Sequence, residues 1–147
     1  MKPAVIATLV LCATAASALA ASQQGSEQFP AVTLGATQEA RVTLANVRAS
    51  SAGAPNAPCA VQVHFFLANG SGSGPVQNVN LAPGASAAVA NAGSGLIRAV
   101  VTMADVSDRR RLCAVRSALE VFDKSSGNTL FSMPGEVCLG AGDCSAP

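Results

Sequence analysis

The stretch that decides the fold is Cys59-Ala-Val-Gln-Val-His-Phe-Phe-Leu67. Its apolar side chains recur at every second position, which places them on one face of an extended chain: Cys59, Val61, Val63, Phe65 and Leu67. This period is typical of a β-strand with one buried face. The segment from Leu112 to Phe122 repeats the pattern and also carries a cysteine, Cys113, on its apolar face. The sequence therefore predicts two long strands, each with a cysteine directed into the core.

Shorter β-patterns surround these two strands. We predict them at residues 31–34, 40–47, 76–81, 86–90, 95–103 and 129–133. Turn residues separate them, including a glycine-rich hairpin loop at Asn69–Pro75 and a Pro83-Gly84 pair that suits a type II turn. About seven or eight short antiparallel strands with frequent turns are typical of an immunoglobulin-like β-sandwich. A small β-barrel is the alternative.

The first twenty residues have the pattern of a secretory signal. Lys2 precedes an apolar run, and Ala18-Leu19-Ala20 matches a cleavage site. The run is shorter than the roughly 20 residues that a membrane span needs. A lipoprotein signal at Cys12 is disfavoured because the bulky Leu11 precedes it. We expect a secreted or periplasmic protein with a cleaved signal (1–20), a flexible lead (21–28) and a single domain (29–147).

Four of the five cysteines follow this leader: Cys59, Cys113, Cys138 and Cys144. They allow three pairings. We favour Cys59 with Cys113, because each opens a long strand and lies on its core face; that bridge would close a long loop and contribute about 4 kcal/mol to the free energy of unfolding. Cys138 would then pair with Cys144 in a short ring. A zinc site is disfavoured because the cysteines lack close pairs with a second pair of ligands elsewhere.

Catalytic equipment is not recognisable in the sequence. His64 is the sole histidine, and we predict it on a solvent-facing strand surface rather than beside a nucleophile. Phosphate-binding and dinucleotide-binding motifs are absent, so we predict no catalytic, cofactor-binding or metal-binding residues. The formal net charge is +1, and cleavage after Ala20 would remove Lys2 and leave a neutral chain. A neutral chain lacks the basic excess expected for nucleic-acid binding.

Two features could bind a partner. The first is the run Arg109-Arg110-Arg111, which could hold a carboxylate, sulfate or phosphate group, although a solvated loop is the simpler interpretation. The second is a mixed patch in which Phe66 and Phe122 face outward, accompanied by His64, Arg116 and Glu120. Either phenylalanine could instead pack beneath a loop. The lack of tryptophan and tyrosine disfavours carbohydrate binding.

Four segments carry a resemblance: residues 59–66, 80–86, 98–101 and 117–123. They resemble a loose group of uncharacterised exported bacterial proteins with a β-sandwich fold. The resemblance implies the fold and the compartment, and it implies no activity. We therefore expect an exported, non-enzymatic binding or structural module with an unidentified protein or surface partner. The alternatives are an inhibitor or anionic-ligand-capture protein that uses Arg109–Arg111, and a subunit of a surface assembly that docks through an edge strand.

Overall fold

The computed structural model describes residues 25–48, 58–91, 93–103, 113–135 and 139. Nine strands occur in these ranges. They are β1 (Ser26–Gln28), β2 (Val32–Leu34), β3 (Gln38–Asn46), β4 (Cys59–Leu67), β5 (Gln77–Leu81), β6 (Ser86–Asn91), β7 (Gly95–Met103), β8 (Val115–Asp123) and β9 (Asn128–Pro134). The described ranges contain no helix long and apolar enough to cross a membrane.

The strands form two antiparallel sheets that pack face to face. In the five-stranded sheet, β1 and β2 lie one after the other along β7, which is followed by β4 and β5. The order in the four-stranded sheet is β6–β3–β8–β9. The predicted all-β sandwich is confirmed, and β4 and β7 have the predicted bounds.

Alternation along the long strands builds the core. In β3, β4 and β8 alternate side chains are buried and the intervening ones are partly or fully exposed, except that Leu67, predicted on the core face, is exposed at the end of β4. The largest fully buried apolar side chains come from both sheets and from the segment after β9: Phe65, Leu44, Leu81, Ile97, Leu119 and Leu139. Full burial of such a side chain contributes about 1.5–3 kcal/mol relative to exposure. The period-two pattern therefore decides which face of each sheet turns inward.

A disulfide between Cys59 and Cys113 joins the sheets, with their Cα atoms 5.7 Å apart. Cys59 opens β4 in one sheet, and Cys113 lies two residues before β8 in the other. Both are buried, and Asn46 Nδ2 lies 3.1 Å from Cys59 Sγ. The predicted pairing of these two cysteines is confirmed. Cys138 and Cys144 lie outside the described residues.

The turn at Pro83-Gly84 has the predicted geometry. Gly84 has a φ of +75°, and the Ala85 N–H donates to the Ala82 carbonyl at 2.9 Å. A positive φ at this position of a type II turn favours glycine. The turn carries the chain from β5 in one sheet to β6 in the other.

The structure corrects the start of the domain. We predicted a flexible lead through Gln28, but Ser26–Gln28 forms β1 and pairs with β7. Glu27 points inward and is buried, and the Ser117 hydroxyl donates to Glu27 Oε2 at 3.1 Å. The sequence Ser-Glu-Gln has no apolar alternation, so the pattern could not reveal this strand. Its partners, rather than its own side chains, define it.

Candidate functional site

The two outward phenylalanines lie on opposite sides of the molecule. Phe66 belongs to β4 in the five-stranded sheet, and Phe122 belongs to β8 in the four-stranded sheet. The prediction that they form one patch is wrong, because residues pointing out from the two layers of a sandwich face away from each other. His64 accompanies Phe66, whereas Arg116 and Glu120 accompany Phe122. The predicted Arg109–Arg111 site lies outside the described residues.

On the four-stranded sheet, Phe122 has a cationic neighbour. Arg41 Cζ lies 4.0 Å from the centre of the Phe122 ring. Arg41 Nη2 also bonds Glu39 Oε1 at 3.1 Å, with the two side chains 29% and 15% exposed. The guanidinium is thus stacked on an aromatic face and neutralised by a carboxylate. The charge of Arg41 is therefore already compensated within the protein, and its guanidinium offers little to a ligand.

On the five-stranded sheet, Phe66 lies directly across from Arg98 of β7. Arg98 Cζ is 5.5 Å from the centre of the Phe66 ring. Phe66 also contacts His64 of its own strand: the two ring centroids are 4.1 Å apart, and the ring planes are tilted by 42°. Arg98 is exposed. Within the part of the chain that the structure describes, its guanidinium has no carboxylate partner and donates no side-chain hydrogen bond.

The loop between β4 and β5 shapes the end of this surface. β5 pairs only with Cys59–Val63, so the last part of β4 is bonded by the loop instead. The Leu67 N–H donates to Ser71 O at 2.8 Å, and the Ser73 N–H donates to Phe65 O at 2.7 Å. Asn69 Oδ1 fixes the bend by accepting hydrogen bonds from the N–H and the hydroxyl of Ser71.

Gly72 is fitted against the histidine. A methyl group at this position would lie 2.8 Å from His64 Nε2, closer than side chains tolerate. The glycine therefore allows the loop to lie against the His64 ring while that ring stacks on Phe66. His64, Phe66 and Arg98 are thus neighbours on the sheet surface, and the loop at Gly72 packs against the first of them.

A shallow cavity of about 270 Å³ adjoins Arg98. Its lining consists of Ala31, Leu67, Ala68, Gly70, Leu96 and Arg98. Apolar walls with few polar groups are typical of small-molecule and side-chain binding pockets. Arg98 is the only charged residue that the described part of the chain contributes to this lining, so the cavity pairs an apolar wall with available N–H donors.

A larger groove, of about 490 Å³, crosses the outer face of the four-stranded sheet. Small side chains such as Ala88 and Ala118 line much of it. Its one charged lining residue, Arg116, already has an interaction partner. The groove is larger than the Arg98 cavity, but its lining offers no comparable available cationic group for a ligand.

Arg98 was not among the residues singled out by sequence reasoning, although a signal was present. Between Arg48 and Asp105 it is the only Asp, Glu, Lys or Arg residue. A single charged residue within a β-branched strand is costly to bury without a partner, so its presence predicts an exposed position. The adjacent arginines Arg109–Arg111 are a more obvious pattern in the sequence and were predicted as the anionic site instead.

Metal chemistry has no support in this part of the molecule. The described residues contain no group of three or more His, Cys, Asp or Glu side chains that could hold an ion. No protein-family model matches the chain, and neither a curated protein nor a solved structure matches it. Function is therefore inferred from the site itself.

Proposed function

We propose that the mature protein is an exported, non-enzymatic binding module that holds anionic peptide segments on the outer face of its five-stranded sheet. The observation that carries this proposal is Arg98, an exposed guanidinium without a carboxylate neighbour in the described ranges, next to Phe66 and an apolar cavity. Arginine matches carboxylate geometry with paired N–H donors. Phe66 adds apolar contact area beside the charge.

Binding is favoured over catalysis by the position of His64. Its ring stacks on Phe66, and its Nε2 lies against Gly72. A general base needs a proton donor within hydrogen-bond reach, and the loop backbone occupies that side of the ring. We therefore assign His64 a role in shaping the surface.

Export is part of the same proposal. The leader pattern at residues 1–20 and the Cys59–Cys113 disulfide support it, because disulfides persist in oxidising compartments outside the cytoplasm. Secretion, or residence in the periplasm or at the cell surface, follows from this. We also propose that the protein is related to exported bacterial β-sandwich proteins and that its strands have an immunoglobulin-like arrangement.

Selection of phage-displayed random peptides on immobilised mature protein tests the binding surface. We expect enriched peptides that carry a carboxylate, and we expect the double variant Phe66→Ser/Arg98→Ser to lose them. The matched control is Ala45→Ser/Ala88→Ser on the outer face of the other sheet, which should retain them. The assignment would be refuted by enriched peptides that still bind Phe66→Ser/Arg98→Ser but no longer bind Ala45→Ser/Ala88→Ser. A selection that enriches no peptide would refute it as well.

A second candidate function, a subunit of a surface assembly, is favoured by the exposed edge strand β9. It spans seven residues, and Leu130 and Phe131 are 53% and 45% exposed. The other edge strands are shorter: β1 and β2 have three residues each, β5 has five and β6 has six, and Gln77 Nε2 of β5 donates to Ala90 O of β6 at 3.3 Å. Long, exposed, apolar edge strands pair readily with other chains.

Light scattering coupled to size-exclusion chromatography tests this candidate across a concentration series. If β9 drives self-association, Phe131→Lys should return the protein to a monomer, because a charge at the edge opposes strand pairing. Val76→Lys is the matched control, since Val76 is 42% exposed but lies in the loop before β5. A wild-type protein that stays monomeric at every concentration would eliminate self-assembly through this strand.

A further inference from the structure

We infer that the cavity beside Arg98 binds a carboxylate carried by a short apolar group, with the carboxylate on the guanidinium and the apolar group among Ala31, Leu67 and Leu96. This inference rests on the proposed binding function and narrows its ligand. The same chemistry occurs in the C-terminus of a polypeptide that ends in an aliphatic residue and in a free branched carboxylic acid.

The charge of the site selects the head group. Among the described residues, Arg98 is the only charged one lining the cavity, and it makes no ion pair with any of them. The Phe66 ring beside the guanidinium supports it through a cation–π contact, and no carboxylate of the described residues competes for its N–H donors. A carboxylate accepts two parallel N–H bonds from such a group, which gives orientation as well as affinity.

The walls select what the carboxylate is attached to. Ala31, Leu67, Ala68 and Leu96 contribute aliphatic surface, and Leu67 and Leu96 are exposed. A volume of about 270 Å³ falls just below the range of about 300–1,000 Å³ that is typical of pockets for drug-sized ligands. The cavity therefore suits one aliphatic side chain or a short acyl group rather than a larger molecule.

The surrounding backbone gives the walls their shape. Leu67 and Ala68 lead into the bend that Asn69 fixes through Ser71, so this wall is ordered before a ligand arrives. Gly70 has a φ of +81°, a conformation that L side chains rarely adopt. The opposite wall comes from Leu96 at the start of β7 and from Ala31, just before β2. Ordered walls lower the entropy that a ligand must lose on binding.

Titrations of the mature protein followed by NMR test the inference with defined probes. One pair is 4-methylpentanoate and its neutral isostere 4-methylpentanamide. The other is the peptide Gly-Ala-Gly-Leu with a free and with an amidated C-terminus. We expect shifts of the amides near Leu67, Gly70 and Arg98, and binding of the acid forms about tenfold or more tighter than the amide forms, because only a carboxylate forms charge-assisted bonds.

Variants separate the contribution of the arginine from that of the fold. Arg98→Leu should abolish the preference for the acid forms, and Arg98→Lys should keep part of it, since lysine retains the charge without the bidentate geometry. Arg41→Leu on the opposite sheet is the matched control and should leave binding unchanged. Because Arg98 is exposed, Arg98→Leu is expected to fold, and circular dichroism of each variant verifies this.

Each outcome has a defined meaning. Binding of the free peptide acid alone identifies a chain terminus, binding of 4-methylpentanoate alone identifies a small carboxylic acid, and binding of both supports the shared chemistry. Equal affinity for acids and amides, or shifts that map away from the cavity, would overturn the inference. If acids fail while phage-selected peptides still need Phe66 and Arg98, only the ligand assignment falls and the binding surface stands.

Discussion

The two outer faces of the sandwich each place an arginine beside a phenylalanine, but only one of these arginines forms an ion pair with a carboxylate of the described residues. On the four-stranded sheet, Arg41 lies 4.0 Å from the Phe122 ring centre and bonds Glu39. On the five-stranded sheet, Arg98 lies 5.5 Å from the Phe66 ring centre. The residue two positions earlier on the same strand face decides the difference: Glu39 precedes Arg41, whereas Leu96 precedes Arg98.

This difference teaches how similar residue pairs acquire different roles. A carboxylate next to an arginine closes its coordination and turns the pair into a structural brace. An aliphatic residue in the same place leaves the guanidinium available and supplies an apolar wall. The difference between Arg41 and Arg98 can be tested by exchanging the charges beside them, and removing the disulfide between the two sheets tests what holds the two faces together.

The largest effect is expected from removing the disulfide that holds the two faces together. Cys59→Ala/Cys113→Ala should lower the free energy of unfolding by about 4 kcal/mol, because the cross-link spans 54 positions and restricts the unfolded chain. Urea unfolding of the oxidised proteins measures this. The comparison is Cys138→Ala/Cys144→Ala: the pairing that the sequence predicts for these two cysteines would close a short ring, and its removal corresponds to a loss of about 2.4 kcal/mol. A smaller loss in the first variant than in the second would contradict the expected ranking.

A second effect concerns the packing between the sheets at Gly135. A methyl group there would lie 2.7 Å from Glu27 Cδ and 2.9 Å from the Ser117 carbonyl oxygen. That oxygen also accepts the Gly135 N–H at 2.7 Å, so it cannot retreat without losing a bond. We expect Gly135→Ala to cost about 1–3 kcal/mol through overpacking.

The control for this substitution is Gly35→Ala. The atoms nearest to its added methyl group would belong to the Gln38 side chain, with Oε1 closest at 3.5 Å, which is an ordinary contact. Thermal unfolding of both variants should show a clear loss for Gly135→Ala and little change for Gly35→Ala. Equal midpoints would show that β1 can move away from β8 without cost.

Sequence reasoning predicted the part of this fold that side-chain period determines. Strand β4 has the predicted bounds because its apolar residues alternate, and β7 has them because its sequence is rich in β-branched residues. The Cys59–Cys113 pairing was predicted because both cysteines fall on core faces. Strand β1 was missed because a three-residue edge strand is defined by its pairing with β7. The alternation of side chains within a segment does not reveal which distant strand that segment pairs with.

The candidate site was less accessible to prediction than the fold. Alternation correctly predicts that Phe66 and Phe122 point outward, but not that β4 and β8 lie in different sheets. Strand order is a long-range property, so the predicted patch combined residues from opposite faces. Arg98 acquires its meaning from Phe66, Ala31 and Leu67, which are distant in sequence. Only the fold brings these groups together.

A smaller effect should follow from exchanging the charges of the two faces. Glu39→Gln releases Arg41 and should cost about 0.5 kcal/mol at low salt, since half-buried surface ion pairs contribute little. Leu96→Glu would give Arg98 the neighbour that Arg41 has. Its stability relative to Leu96→Gln should then decrease as salt is added. Urea unfolding at low and high ionic strength measures both changes, and salt-independent differences would refute the predicted pairing.

The smallest effect separates the hairpin loops that end the two faces. In the β8–β9 turn, Asp123 Oδ1 accepts the Ser125 hydroxyl at 2.5 Å and the N–H groups of Ser125 and Ser126 at 2.7 and 3.2 Å. The hydroxyl bond, followed by the two backbone bonds, lowers the pKa of Asp123 below its ordinary value of 3.8. In the β4–β5 loop, the neutral Asn69 makes the same bonds to Ser71.

Only the charged turn should therefore respond to acid. A carboxyl group whose pKa is lower in the folded than in the unfolded protein stabilises the fold above its unfolded pKa, and this stabilisation is lost as the pH falls through the folded pKa. The stability difference between the wild type and Asp123→Asn should thus shrink between about pH 5 and about pH 2. Asn69→Asp should create a similar dependence in the other loop. Urea midpoints across this range measure both, and a pH-independent difference for Asp123→Asn would mean that the serine bonds do not favour the ionised carboxylate.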